Sequence, residues 1–290
     1  MLLHEFFIAP FVEFAFMRRA LAGALALAIA GPPLGVFLIL RRMALTGDAV
    51  GHAILPGAAL GYLASGLSLG PMTIGGLIAG LVVAVGSGIV ARTTILREDT
   101  SLAAFYLISL ALGVTIVSLR GSNIDLLHVL FGSVLALDDA TLILLAAIAS
   151  VTLAALAIIY RPLVLETVDA GFLASVSRSG GVMQIAFLAL VVLNLVGGFH
   201  ALGTLLAVGM MMLPAASARL ITGDMTAMIG IAVAQGMLAG YAGLVSSFHA
   251  GLPSGPVIIL IAGLLYLLAL VFGPAGGLLR RMKPGRHLEA

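Results

Sequence analysis

"GPPLGVFLILRRMALTGDAVGHAILPG", residues 31–57, is the stretch on which the reading of the fold turns. An apolar run that begins near residue 20 stops at Arg41 and Arg42. A second apolar run starts a few residues later and carries Asp48 and His52 inside it. A helix needs roughly 20 predominantly apolar residues to cross a bilayer. The two arginines therefore mark the turn between one crossing and the next.

Outward from this stretch the pattern repeats. Cutting the chain at charges, Gly and Pro predicts spans at about 20–40, 47–67, 71–91, 100–119, 140–160, 182–198, 201–219, 225–247 and 255–273. The expected fold is all-α, a polytopic transmembrane bundle of about nine spans, or eight if one assignment near the N-terminus changes. Composition agrees: 62% of the residues are hydrophobic and 9% charged, with a mean hydropathy of +1.24, whereas soluble domains run near ~25% charged. The 36 glycines fit as well, because small residues let transmembrane helices approach closely.

The net charge is +2 and the pI about 9.3, but the basic residues read as orientation signals rather than as a nucleic-acid surface. With the N-terminus outside, the inner side receives Arg41, Arg42, Arg92, Arg97, Arg161, Arg178, Arg219, Arg280, Arg281, Lys283 and Arg286, and the outer side only Arg18, Arg19 and Arg120. That asymmetry predicts an N-out, C-in topology. The absence of cysteine excludes disulfides, thiolate metal ligands and a catalytic thiol.

Residues 1–19 lack the charged start and cleavage site of a signal peptide and read as a retained, interfacial lead-in. Residues 20–275 form the transmembrane domain and 276–290 a basic cytoplasmic tail. The longest polar interruption, about 161–181, is expected in the cytoplasm, either as a plain loop with a short helix or as a docking helix for a partner. The amphipathic piece 123–137 reads as a partly inserted hairpin or an interfacial helix.

Asp48 and His52 stand at i and i+4, so on a helix they share one face and can reach one object. Ionisable groups inside a span cost a few kcal/mol and normally face a polar interior or a pathway. Imidazole and carboxylate both suit a divalent metal such as zinc. Two donors do not close a site, whereas a two-fold pair of chains would supply four. The spacing also suits a plainer arrangement, with Asp48 capping the helix start and His52 bonded to a carbonyl; at this point both stand.

His200 and His249 fall at expected outer ends of spans, where they would receive a metal or simply serve structure. His4, His128 and His287 carry less. The run Met210–Met212 points in three directions on a helix and reads as core filling rather than a copper site. No phosphate-cradling glycine loop and no hydrolase or metalloprotease motif occurs. ATP, if it drives transport, is hydrolysed on another chain.

Four segments in order, residues 31–57, "DLLHVLFGSVLAL" (125–137), "ALGTLLAVGMMMLPAASARL" (201–220) and "LPSGPVIIL" (252–260), resemble the permease subunits of bacterial ABC importers for zinc, manganese and related divalent metals, the zinc-uptake permeases most closely. The resemblance covers about residues 18–275. It implies a type II importer architecture in a bacterial cytoplasmic membrane, with a second copy of the chain, two cytoplasmic ATPase subunits and a periplasmic or surface-anchored metal-binding protein as partners. It places Asp48 and His52 in the metal path and makes the interruption near 165–180 a coupling helix, with no permanently bound cofactor. Members of that family often carry an acidic residue before the L-P-S-G-P element, where this chain has Gly251, with His249 nearby. The resulting expectation is ATP-driven import of a divalent metal, zinc first, with manganese or iron as alternatives. A proton-coupled carrier using Asp48 and His52 as a relay, and a non-transporting scaffold, are the competing classes.

Overall fold

The computed structural model describes residues 2–66, 68–96, 98–119, 134–169, 172 and 180–279. The expected hairpin or interfacial helix at 123–137, apart from its last residues, the middle of the interruption at 161–181, His128 and the basic tail from 280 onward lie outside the described residues.

Two short helices, α1 (Leu2–Phe7) and α2 (Ala9–Glu13), lead into α3 (Ala15–Leu40). They are followed by α4 (Thr46–Ala53), α5 (Leu55–Ser65), α6 (Leu69–Thr93) and α7 (Glu98–Leu119). A 3-10 turn at Val134–Ala136 precedes α8 (Asp139–Val168), α9 (Gly180–Leu202), α10 (Thr204–Ile221), α11 (Met225–Ala250) and α12 (Ser254–Phe272). Among the described residues seven of these, α3, α6 and α8 to α12, are long and apolar enough to cross a membrane. The stretch expected at 100–119 is the apolar α7, and the stretch expected at 47–67 is divided between α4 and α5. The chain is a multi-pass membrane protein built of helices, as an apolar solvent demands, since helices satisfy their own backbone donors and acceptors.

Two boundaries differ from expectation for local reasons. α3 begins at Ala15 rather than near residue 20, because its arginines are occupied: Arg18 donates to the carbonyl of Val12 at 2.8 Å and Arg19 pairs with Asp139 at 2.7 Å. α8 continues past Arg161 and Pro162 to Val168, so part of the interruption is helical. Its start is capped by Asp138, which accepts the backbone N–H of Thr141 at 2.9 Å. Hydrogen bonds from the Thr141 side chain and backbone hold the Asp138 carboxyl below its ordinary pKa.

α3 is the hub, with 72% of its apolar window buried inside the chain; it packs against α8, α9, α10 and α11. The α3–α10 crossing is close because residue 35 is glycine: a Cβ there would run into the backbone carbonyl of Met211. A second close crossing joins α5 to α6, where Gly57 and Gly75 face each other so tightly that a Cβ on either would strike the other's carbonyl. Such small-residue contacts drive helix association where apolar burial alone gives no preference.

The end of α3 decides where the next helix points. Arg42 has φ +61°, the N–H of Met43 bonds to the carbonyl of Leu38 at 2.8 Å, and that of Arg42 to Ile39 at 3.0 Å. This is the Schellman pattern of helix termination, with its usual apolar contact supplied by buried Met43 and Leu38. An arginine takes the left-handed position that glycine normally fills. By contrast, the same role at the end of α11 falls to Gly251, with φ +65°, which accounts for a glycine at that position.

Gly57→Leu should lower stability by about 1–3 kcal/mol through overpacking against α6, read as a depressed thermal unfolding midpoint in detergent. Gly88→Ala, inside α6 where nothing lies within 4 Å, should instead raise stability by about 0.5–1 kcal/mol in the same assay. Arg42→Gly should raise stability by about 1 kcal/mol by relieving the left-handed backbone, again measured by thermal unfolding.

Candidate functional site

α4 is a helix of only two turns, and its sequence, "TGDAVGHA", sorts its faces. Gly47 and Gly51 form one stripe, turned toward α10. A Cβ at Gly47 would stand 2.9 Å from Met211 Cε, and one at Gly51 would stand 3.3 Å from Val208 Cγ2. Each glycine is followed by one of the ionisable residues, so Asp48 and His52 form the adjacent stripe, about 100° further round the helix. The glycines bring α4 against α10; the next face is thereby held along the edge of that contact.

That edge opens onto a groove of about 450 Å³, lined by Asp48 and His52, by Thr204, Val208 and Leu213 of α10, and by Ile259 of α12. The Asp48 side chain is 65% exposed and that of His52 29%. Asp48 Oδ1 and His52 Nε2 are 3.6 Å apart, beyond a normal hydrogen bond. No side chain caps the start of α4, so the carboxylate is not engaged in capping. The His52 ring has the Tyr106 ring of α7 6.3 Å away, centroid to centroid.

The spacing has a chemical meaning. Two donors about 2.1–2.2 Å from one ion, spread by a tetrahedral angle, stand roughly 3.5 Å apart. The observed separation of 3.6 Å is close to that value. Among the described residues no group of three or more His, Cys, Asp or Glu is gathered to hold a metal. One chain offers two donors; the remaining positions on an ion fall to water or to another chain.

The break after α4 keeps the helix short. Pro56 has no N–H for the carbonyl of His52, four residues back. Beside it, the carbonyl of Ala53 accepts the buried hydroxyl of Ser109 on α7 at 3.0 Å, and the N–H of Ile54 reaches Val50 at 3.2 Å. α7 fits against the break because Gly113 lies over Pro56: a Cβ there would be 3.0 Å from the Pro56 nitrogen.

Of the other residues singled out from sequence, His249 is engaged elsewhere. Its Nε2 lies 2.8 Å from the carbonyl of Phe6 and its ring stacks on Phe6 with centroids 3.9 Å apart, so it fastens the N-terminal helices to the end of α11. His200 falls in the last turn of α9. Met210 and Met211 are buried core. Sequence reading missed Tyr106, Ser109 and the α10 wall. Ser109 and Tyr106 are polar groups in the middle of a largely apolar span, a signal that was present; Val208 and Ile259 are ordinary aliphatic residues.

Three comparisons bear on this arrangement. The profile of the ABC 3 transport family matches residues 13–273. The manganese transport system membrane protein MntC of Halalkalibacterium halodurans is 32% identical over 98% of this chain and 96% of its own length. The manganese import system permease protein ScaB of Streptococcus gordonii is 30% identical over 95% of this chain and 98% of its own. Among solved structures, PsaBC from Streptococcus pneumoniae in complex with Fab superposes with a TM-score of 0.83 at 28% identity, covering 97% of this chain and 99% of that one.

Ser109→Ala would leave the Ala53 carbonyl without its partner in a buried setting. The expected cost is about 1–3 kcal/mol, seen as a lower unfolding midpoint, with Ser109→Thr retaining most of the stability.

Proposed function

The chain belongs to the ABC 3 transport family, and we propose on that footing that it carries a divalent metal ion, manganese in the first place, into the cytoplasm of a bacterium. Family membership makes it the membrane-spanning transport subunit of an ABC system, with ATP hydrolysis on a separate chain. A proton relay is therefore not needed to account for Asp48 and His52. The observation that carries the cargo reading is the Asp48–His52 pair, 3.6 Å apart on one face of α4 at the edge of an open groove.

Manganese rather than zinc is favoured by the names of the relatives, which say manganese. The chemistry accommodates it: carboxylate, imidazole and water suit manganese, which binds a given donor set more weakly than zinc does. A site with two protein donors therefore releases manganese readily and would hold zinc longer. A second copy of the chain, placed with its own α4 across the groove, would bring a second carboxylate and imidazole and neutralise the ion's charge. Two ATPase subunits on the cytoplasmic face and a metal-binding protein on the outer face complete the assembly in the inner membrane. Asp48 and His52 act as stepping donors; no bond in this chain is made or broken.

Asp48→Ala and His52→Ala should each lower uptake of radioactive manganese by about tenfold or more at normal protein abundance, the loss of one of two donors costing on the order of 1–2 kcal/mol. Full uptake in both variants would remove the pathway role. Cells supplied with both metals should accumulate manganese ahead of zinc through the parent protein; the reverse order would restore zinc as the cargo.

A further inference from the structure

Arg41, the last residue before the Arg42 reversal, is buried in a way that the orientation rule does not require. Its Nη2 lies 3.0 Å from Glu166 Oε2, and both side chains are only 10% exposed. Its Nε donates to Thr167 Oγ1 at 3.0 Å, while the Thr167 hydroxyl donates to the carbonyl of Leu163 at 2.7 Å. The guanidinium carbon sits 4.9 Å from the ring centre of Phe187, a stacked cation–π contact. Phe187 is fully buried and meets Phe37 of α3 edge-on at 5.9 Å, and Phe37 meets Tyr160 of α8 at 6.1 Å.

These contacts have a topology. Glu166 and Thr167 lie in the last turn of α8, and Phe187 lies in the second turn of α9. The two helices bracket the interruption that is expected in the cytoplasm. Arg41 ends α3 and is joined to α4 by the Schellman turn, seven residues before Asp48. One side chain therefore grips both ends of the interruption and the element that carries the ion-facing pair. A buried ion pair is a poor source of net stability compared with apolar packing of the same volume, so folding stability alone does not explain it. Fixing the relative placement of elements is its best-attested use.

We infer that Arg41 is a positioning residue for transport, the joint through which displacement of the segment between α8 and α9 is passed to α4 and so to Asp48 and His52. The inference rests on the reading of this chain as an ABC transport subunit with Asp48 and His52 in the ion path. In that reading the ATPase partners act on the cytoplasmic segment. The planar fork of arginine matters, because it serves Glu166, Thr167 and the Phe187 ring at once; lysine keeps the charge and loses the fork.

The test uses the whole importer, reconstituted with its ATPase subunits and metal-binding protein in liposomes. The variants are Arg41→Lys, Glu166→Gln and the milder Thr167→Ala, which leaves the ion pair standing. Three quantities are read for each: manganese uptake, ATP hydrolysis, and the rate at which a thiol introduced by Leu45→Cys at the start of α4 reacts with a maleimide, with and without ATP and vanadate. The chain has no cysteine of its own, and Leu45 is 76% exposed, so that thiol is the only label on this subunit.

Loss of coupling is expected to cut uptake by about tenfold in Arg41→Lys and Glu166→Gln and about threefold in Thr167→Ala, while ATP hydrolysis stays within about twofold and the nucleotide-dependent change in thiol reactivity disappears. Uptake that persists, uptake and hydrolysis that fall in parallel, or a thiol response that survives in the variants would each overturn the inference. If the two ion-pair variants do not accumulate, Thr167→Ala decides by the same three readings. A parent importer that moves no manganese yet shows a nucleotide response that the variants lose would sink the cargo reading and leave the joint standing. A parent that imports manganese alongside variants that do so equally well would remove the joint and leave the cargo reading intact.

Discussion

A carboxylate among apolar helices must be given somewhere polar to face, and the arrangement of this bundle follows from how that is done for Asp48. Placing it at a helix surface costs a few kcal/mol in hydrocarbon. Here Gly47 and Gly51 press α4 onto α10, and the stripe beside them is left at the lip of an open groove, with His52 one turn on and the Asp48 side chain 65% exposed. Were those glycines larger, α4 would stand off from α10 and the lip would close or shift. The ionisable pair and the small-residue stripe are thus one device, and neither is intelligible without the other.

The same logic appears at both ends of α4. Upstream, a Schellman turn with Arg42 in the left-handed region reverses the chain within three residues. Downstream, Pro56 ends the hydrogen-bond ladder and Ser109 takes the carbonyl of Ala53 beside the break. Backbone groups released inside a membrane are tolerated only when neighbours re-satisfy them, and α7 supplies such a partner to the Ala53 carbonyl next to the break. The irregular backbone on either side of Asp48 and His52 is therefore matched to particular partners on other helices.

Much of this was legible in the sequence. The apolar runs gave the positions of the helices, and the i, i+4 spacing of Asp48 and His52 survives as a shared face with Oδ1 and Nε2 3.6 Å apart. Residues 47–67 looked like one span because they are mostly apolar apart from Asp48 and His52. Pro56 carried the signal of a break, but a proline in a sequence does not say whether it ends a helix or only bends it, as Pro162 in α8 and Pro214 in α10 show by lying inside continuous helices. The groove wall was illegible: Val208 and Ile259 are ordinary aliphatic residues, and their role depends on crossings fixed by glycines far away in sequence. The Arg41–Glu166 pair was hidden for a different reason. Charges at span ends serve orientation whatever else they do, and nothing local distinguishes an arginine that merely marks a side from one that finds a carboxylate 125 residues on. Zinc and manganese accept the same donors, so the identity of the cargo lay outside what donor types can tell.

The brevity of α4 has a mechanical corollary. Eight residues make a rod about 12 Å long, interrupted at each end by a backbone discontinuity and attached to its neighbour by a smooth glycine surface. Its other faces are set in the core, where Ala49, Val50 and Ala53 are buried with residues of the long helices, so a tilt of the rod must be matched by a shift of those helices. A tilt of roughly ten degrees carries one tip about 2 Å, many times the few tenths of an ångström by which metal–ligand distances vary. On the proposed reading, a small shift of the surrounding helices would thus be enough to move Asp48 and His52 relative to the groove wall.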